Sequence, residues 1–252
     1  MRSASTVMVG CVRKHDPRSS RTAEAADEGS PPFFVVPVAG AWFVGGMNTG
    51  PDFSFETRIG GRVAGVDEVG RGPLAGPVTA AAVVLDPATI PEGLNDSKKL
   101  SARKRTALLE QLLERAEVSL GWASVEEIDA INIRNATFLA MRRALEGLAP
   151  VGHALIDGNA LPPELPCPAT TIVKGDGRSL SIAAASIVAK VGRDEHMMAL
   201  SRQFPGYGWE RNAGYPTADH KQALLDLGVT PHHRRSFKPV HNILYQGKSV
   251  SS

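Results

Sequence analysis

Three short apolar runs in this 252-residue chain each lead into acidic side chains beside or just ahead of a glycine, and that recurrence restricts the fold more than any other feature. Arg62–Val69 carries Asp67 and Glu68 just ahead of Gly70-Arg71-Gly72, Ala154–Asp157 runs into Gly158, and Thr170–Lys174 is followed by Gly175-Asp176. Short runs of Val, Ala, Ile and Thr bounded by glycine and proline read as strands. Acids at the ends of neighbouring strands crowd negative charge into one patch. Like charges a few ångströms apart resist joint ionisation, and the usual relief is a hard cation with oxygen ligands, which points to Mg2+ or Mn2+. A single acidic pair at a strand tip would read as surface charge; the repetition outweighs that reading. Neighbouring side chains of a regular strand point to opposite faces, so Asp67 and Glu68 can serve one site only if the strand ends or bulges there.

The rest of the chain supplies a sheet and its cover. Val78–Leu85 reads as a second strand after the Gly/Pro-rich stretch 70–77. Ser101 caps a predicted helix with Leu108, Leu109, Leu112 and Leu113 on one stripe, ending near Glu117 before the strand-like Val118–Ala123. Ser124 and Glu127 have the capping-box spacing, and Asn135–Leu148 continues as helix. Ser179–Leu200 reads as a long helix rich in small residues, and Thr217 opens the last clear helix, which stops at Gly228 before Pro231. Five strands with helices among and after them predict a mixed α/β sheet flanked by helices. The expected organisation is a poorly ordered extension over 1–57, a catalytic domain over 58–195, a small helical C-terminal subdomain over 196–246 and a tail over 247–252. Met47 stands as an alternative start to Met1.

Several function classes drop out. Cys11 and Cys167 form no C-x-x-C pair, which argues against a zinc site or a disulfide framework and fits a reducing, cytoplasmic compartment. Neither a P-loop nor a Gly-x-Ser-x-Gly elbow is present. The apolar stretch Phe33–Met47 is broken by Pro37 and glycines and is shorter than the ~20 residues of a membrane span. Asp16, Glu24, Asp27 and Glu28 spoil the acid-poor pattern of a transit peptide, so no cleaved export signal is expected. A net charge of +2 does not announce nucleic-acid binding. Basic residues do cluster at Lys98–Arg105 and His232–Lys238, although clusters of this kind taken alone read as solvated faces.

The stretch from Gly65 to Pro77, Gly-Val-Asp-Glu-Val-Gly-Arg-Gly-Pro-Leu-Ala-Gly-Pro, resembles the opening motif of bacterial ribonuclease HII, and Asn95-Asp96-Ser97-Lys98-Lys99-Leu100 resembles its second block. Asp157-Gly158, Lys174-Gly175-Asp176, Ser181–Lys190, Gly214-Tyr215 with Thr217, and His233-Arg234-Arg235-Ser236-Phe237 follow in the family's order over about residues 60–240. The resemblance implies a ribonuclease H-like sheet with a helical C-terminal subdomain. It implies an endonuclease acting on RNA–DNA hybrids and on DNA duplexes containing ribonucleotides, with Asp67, Glu68, Asp157 and Asp176 holding two divalent ions, Mn2+ or Mg2+, for an in-line attack on the phosphodiester. Asp67 would bridge both ions.

By the same resemblance Gly70, Arg71 and Gly72 read the 2′-hydroxyl of the ribonucleotide through close backbone approach, and Tyr215 packs on the sugar that follows. Lys98, Lys99, Ser186, Lys190, His233 and Arg234 are assigned to phosphate contact, with capping, packing or solvation as the competing explanation for each. The Ala/Ser-rich stretch 181–189 reads as close helix-to-sheet packing, and His153, His196 and His220 as ordinary residues. No Gln-x-x-Leu-x-x-Phe-Phe-like sliding-clamp motif follows Gln246, so no clamp partner and a monomer are expected. The sister family ribonuclease HIII carries a folded domain ahead of the Asp-Glu motif, which favours HII here. The rivals are another ribonuclease H-like nuclease acting on DNA alone, such as a resolvase or integrase, and a non-catalytic hybrid-binding protein. Four intact acids weigh against the latter.

Overall fold

A computed structural model describes residues 50–245. In chain order these form α1 (Ser54–Ile59), β1 (Val63–Val69), β2 (Val78–Leu85), α2 (Ala102–Arg115), β3 (Ala116–Ala123), α3 (Val125–Glu146), β4 (His153–Asp157), β5 (Ala169–Ile172), α4 (Leu180–Gln203), α5 (Trp209–Asn212), α6 (Ala218–Leu227) and α7 (Lys238–Tyr245). The five strands lie in the order β3-β2-β1-β4-β5. β1 pairs antiparallel with β2 and parallel with β4, so the sheet is mixed, as the sequence predicts. No helix among the described residues is long and apolar enough to cross a membrane.

β2 is buried along almost its whole length because helices cover both faces of the sheet. Ala80 and Ala82 pack with Ile128, Ala136, Ala140 and Ala144 of α3, whereas Ala81 and Val83 pack with Leu108 and Leu112 of α2 and with Ala184, Ile187 and Val188 of α4. Alternation of small side chains towards two helical layers accounts for the alanine content of the strand. Every residue from Ser181 to Ala189 is buried, which confirms that stretch as a packing surface. Its closeness to β1 fixes Gly65, where a Cβ would overlap the Ser181–Ile182 backbone. A Gly65→Ala change would have to push the helix off the sheet.

Local chemistry sets the helix starts. Ser101, Ser179 and Thr217 each accept from the backbone amide three residues on, and Ser124 with Glu127 makes the full capping box. Each such cap contributes about 1 kcal/mol. The leucine stripe of α2 is narrower than expected: Leu108 and Leu112 are buried, but Leu113 is 44% exposed. α3 is one run containing a kink at Asn132 (φ 66°, ψ 163°), whose Oδ1 accepts from the Asn135 amide and restarts the helix.

Three expectations are corrected. Residues 50–57, placed in the poorly ordered extension, are folded: Phe53 and Phe55 pack against the apolar clusters, and Glu56 is buried. Glu56 Oε1 accepts from Ser179 Oγ (2.6 Å), the Ser181 amide (3.0 Å) and Ser181 Oγ (2.5 Å), an anion set at the N-terminus of α4 where the helix dipole favours it. Residues 1–49 and the tail 247–252 lie outside the described residues. The boundary drawn at 195 falls inside α4, which runs unbroken to Gln203 and contributes Met197 and Leu200 to the cluster formed by Tyr207, Trp209, Leu224 and Val240. Finally, α7 follows the helix that Thr217 opens; it is only eight residues long, although Val240, Ile243 and Leu244 keep helical spacing towards the C-terminal cluster.

Candidate active site

The β1–β4 ladder runs from Val63↔His153 to Val66↔Ile156, so the next residues, Asp67 and Asp157, arrive at the same level of the sheet. β4 stops there, while β1 continues beside β2 through Asp67↔Ala81, Glu68↔Ala80 and Val69↔Thr79. The strand end or bulge expected at Asp67-Glu68 is therefore absent. Both carboxylates reach one site because β4 ends and leaves that edge of β1 open. One carboxylate oxygen from each of Asp67, Glu68 and Asp157 lies within 4.8 Å of the others. Asp157 Oδ1 accepts from the Gly175 amide (2.6 Å), which ties the β4 tip to the 3-10 turn Gly175–Gly177 carrying Asp176. Asp176 stands outside the tight trio and faces Lys98, whose Nζ is 3.6 Å away.

The charge on this edge is uncomfortable. Burial, then the charges of Glu68 and Asp157, push the Asp67 carboxyl well above the usual carboxylate range, although its Oδ1 accepts from the Glu68 amide (2.8 Å). Burial raises Glu68 as well, with Arg71 opposing and Asp157 reinforcing. Asp176 is raised by burial and then by Asp96 and Asp157, with Lys98 opposing. Oxygen donors alone make up the cluster, and its charged forms are disfavoured until something neutralises them, which fits a hard divalent cation.

Asp96 is a fifth carboxylate at this edge that the sequence did not single out. It caps the turn Ser97–Lys99 by accepting from the Lys98 amide (2.9 Å), and its charge is the largest acting on Asp176. Its place inside the Asn95–Leu100 block is the available signal, although it follows no strand.

Beside the acids lies the loop Gly70-Arg71-Gly72. Gly70 has φ +91°, and a Cβ there would run into the Arg193 side chain. A Cβ on Gly72 would sit 3.5 Å from the Tyr215 ring, which is 40% exposed. The loop and the tyrosine thus border one surface, next to a cleft of about 170 Å³ lined by Glu68, Arg71, Arg134, Phe138, Asp157 and Gly158. A larger hollow of about 570 Å³ at the α3 kink, lined by Asp129, Asn132 and Ser236, contains none of these acids.

The family profile of ribonuclease HII matches residues 64–240. The chain belongs to the ribonuclease HII family. Among its relatives, a ribonuclease HII of Jannaschia sp. is 69% identical over 196 residues, 77% of this chain and 98% of that protein. A ribonuclease HII of Ruegeria pomeroyi is 64% identical, covering 79% of this chain and 87% of that protein. Among solved structures, the RNase HII of Archaeoglobus fulgidus, determined in complex with PCNA, superposes with a TM-score of 0.58 at 26% identity, over 70% of this chain and 95% of that one. The ribonuclease H2 of Pyrococcus horikoshii OT3 gives 0.61 at 24% identity, over 75% of this chain and all of that one, and shares the fold.

Within this ribonuclease HII fold the weaker assignments to phosphate contact divide. Lys98 and Lys99 are exposed, Lys98 beside Asp176, and Lys190 is half-buried and paired with Asp194 (2.8 Å). Ser186 is buried and its hydroxyl is engaged, donating to the Ala183 carbonyl (2.8 Å) and accepting from the Ser97 amide (3.2 Å). It holds the Asp96–Lys98 turn from inside the protein. His233 is fully buried, with Nδ1 accepting from the Thr230 amide (3.0 Å) and Nε2 facing His220 Nε2 (3.1 Å). Arg234 is also fully buried and donates only to main-chain carbonyls. Motif membership identified these two, but it could not tell that they face inwards.

His220, taken as ordinary, belongs to the same network. The Thr230 amide requires His233 Nδ1 to accept, so Nε2–H donates to His220 Nε2, which also accepts from Trp209 Nε1 (3.1 Å). His220 then carries its proton on Nδ1 and donates to the Tyr215 carbonyl (2.9 Å). Both rings are neutral. Burial, followed by the nearby His220 and His232, depresses His233 to about 3.

Proposed function

We propose that this chain is a metal-dependent endoribonuclease that hydrolyses the RNA strand of RNA–DNA hybrids and nicks DNA duplexes on the 5′ side of embedded ribonucleotides. The observation that carries the proposal is the juxtaposition at one sheet edge of the Asp67–Glu68–Asp157 cluster with the Gly70–Gly72 loop and Tyr215.

Asp67, Glu68, Asp157 and Asp176 would hold two divalent ions, Mn2+ or Mg2+. Bound there, such ions supply an activated water and stabilise the leaving oxygen of an in-line displacement. The protein's own groups set the substrate. Gly70, Arg71 and Gly72 present main-chain atoms to the ribose, with Gly70 held against the Arg193 side chain and Gly72 beside the Tyr215 ring, and that exposed ring offers a flat apolar surface to the next sugar. Lys98, Lys99 and Arg71 flank the site with positive charge that can meet phosphates. The enzyme would act as a cytoplasmic monomer.

A duplex containing one ribonucleotide, incubated with and without chelator, tests this. A cut 5′ of the ribonucleotide that requires Mg2+ or Mn2+ is the expected result. Equal cutting of an all-deoxy duplex would identify a DNA nuclease of the same fold, and binding without metal-dependent turnover would identify a hybrid-binding protein.

A further inference from the structure

Two guanidinium groups lie fully buried beneath the loop that borders the site, and neither is paired with a carboxylate among the described residues. Every acceptor they use is a main-chain carbonyl. Arg234 donates from Nε to Gly76 (2.9 Å), from Nη1 to Arg71 (3.1 Å), and from Nη2 to Gly70 (2.6 Å) and Pro77 (3.1 Å). Arg193 donates from Nε to Pro77 (2.9 Å), from Nη2 to Ala75 (3.1 Å), and from Nη1 to Ala213 (2.9 Å). The Phe237 ring covers the Arg234 guanidinium at 5.1 Å. Burying two cations without counter-ions is expensive, and a fold that retains them gains something other than stability.

What they fix is orientation. In a trans peptide the N–H points opposite to the C=O, and the described residues contain no cis bond. With the Gly70 and Arg71 carbonyls turned inwards to Arg234, the amides of Arg71 and Gly72 point away from it, and neither has an acceptor among the described residues. Two adjacent outward N–H groups suit a sugar hydroxyl or a phosphate oxygen. Arg193 makes a different connection: Pro77 and Ala75 belong to the loop, but Ala213 belongs to the segment that leads into Tyr215. That join is reinforced by the Leu74 amide, which donates to the Gly214 carbonyl (2.8 Å).

We propose that Arg193 and Arg234 are positioning residues: Arg234 sets the outward amides that read the ribose, and Arg193 locks Tyr215 to that loop at a fixed spacing. The inference rests on the ribonucleotide reading above. A lysine keeps the charge, but its point-like ammonium cannot span carbonyls that the planar fork holds together.

The test uses R193K and R234K alongside Y215A, with single-turnover rates on a duplex carrying one ribonucleotide and on an all-RNA/DNA hybrid, affinity for an all-DNA duplex, and thermal melting. R234K should cut both ribose-containing substrates slower by about 10- to 100-fold, the scale set by small misplacements near reacting atoms, while all-DNA affinity stays unchanged. R193K should lose preference for the lone ribonucleotide as Y215A does, and the R193K/Y215A double variant should lose no more than Y215A alone. Additive losses in that cycle, a proportional loss on both substrates by R193K, or wild-type rates in R193K would overturn the inference. So would an R234K variant that folds and cuts normally; should R234K fail to fold, the Arg193 cycle decides alone. A wild type with no preference for the lone ribonucleotide would instead refute the functional reading, before any variant is made.

Discussion

Two polar clusters in this protein are built on opposite terms. At the open edge of β1, Asp67, Glu68 and Asp157 bring like charges within 4.8 Å, and burial holds the Asp67 carboxyl well above its ordinary range. Among the C-terminal helices, the ring nitrogens of His220, His233 and Trp209 all have partners, and the donors run in one consistent direction from Thr230 to the Tyr215 carbonyl. The carboxylates of the acidic edge repel one another with only Arg71 and Lys98 opposing, whereas the histidine network is complete by itself. A buried ionisable group therefore says little about function; whether its partners are already present says much more.

The sharpest way to break this contrast is to remove one acid. Asp67→Asn, Asp157→Asn or Asp176→Asn should abolish most cleavage, on the order of 10³-fold, because the anionic ligand is lost at constant size. Duplex affinity should persist, and metal-free thermal melting of Asp67→Asn should be no lower than that of the wild type, since a repelled charge has gone. A variant cutting at the normal rate would remove its residue from the site, and a large fall in melting would mean that the acid is structural.

Cation binding gives the next largest effect. Mg2+ or Mn2+ at 100 times its dissociation constant should stabilise the wild type by about 2.7 kcal/mol and Asp67→Asn by much less, measured by melting. Equal stabilisation of both proteins would place the binding elsewhere. Tyr215→Ala, which removes aromatic packing but no metal ligand, should cost the lone-ribonucleotide cut about 1–3 kcal/mol and the hybrid cut less, as steady-state rates on the two substrates would show.

The smallest predicted effect is a pH dependence of opposite sign in the two clusters. His233 is held near 3 when folded against 6.5 when free, so below about pH 6.5 the unfolded chain binds a proton that the folded chain refuses. Its contribution is fully present above that pH and is lost as pH falls, at up to about 1.4 kcal/mol per unit. The raised Asp67, Glu68 and Asp176 act the other way, the folded chain holding protons that the unfolded one has released, so their contribution grows as pH falls. Denaturant melts of the wild type and His233→Gln between pH 7.5 and 5.5 separate the two: the variant should lose the acid-side decline attributed to the histidine. An unchanged slope would show that the ring is not held neutral.

How much of this was legible in the sequence follows from the range of the forces involved. Caps and strand runs depend on neighbours within a few residues: Ser101 and Ser124 with Glu127 cap as their spacing predicts, and helices start beside Ser179 and Thr217 as read. The acids were legible because glycine marks where each strand gives out. Glu56 was not: its role depends on the N-terminus of a helix that starts more than a hundred residues later, and nothing periodic surrounds it. Ser186, His233 and Arg234 sit in recognisable motifs, yet a motif does not reveal which way a side chain turns once tertiary packing has chosen. The union of Asp67 and Glu68 was expected from a local break in β1 and comes instead from the early end of β4, a property of another strand.

One consequence of α4 concerns measurement. Its first turns meet Glu56 and underlie β1, and its later turns carry Arg193 and Met197 beneath the loop and the tyrosine segment. On the proposed function, the acids of β1 and the sugar-reading loop with Tyr215 would share one backing rod of 24 residues, about 36 Å long. The offset between the ribonucleotide and the broken bond would then be a ruler mark set in part by a helix. One residue inserted between Ala189 and Arg193 would advance the mark by about 1.5 Å and swing it through about 100°.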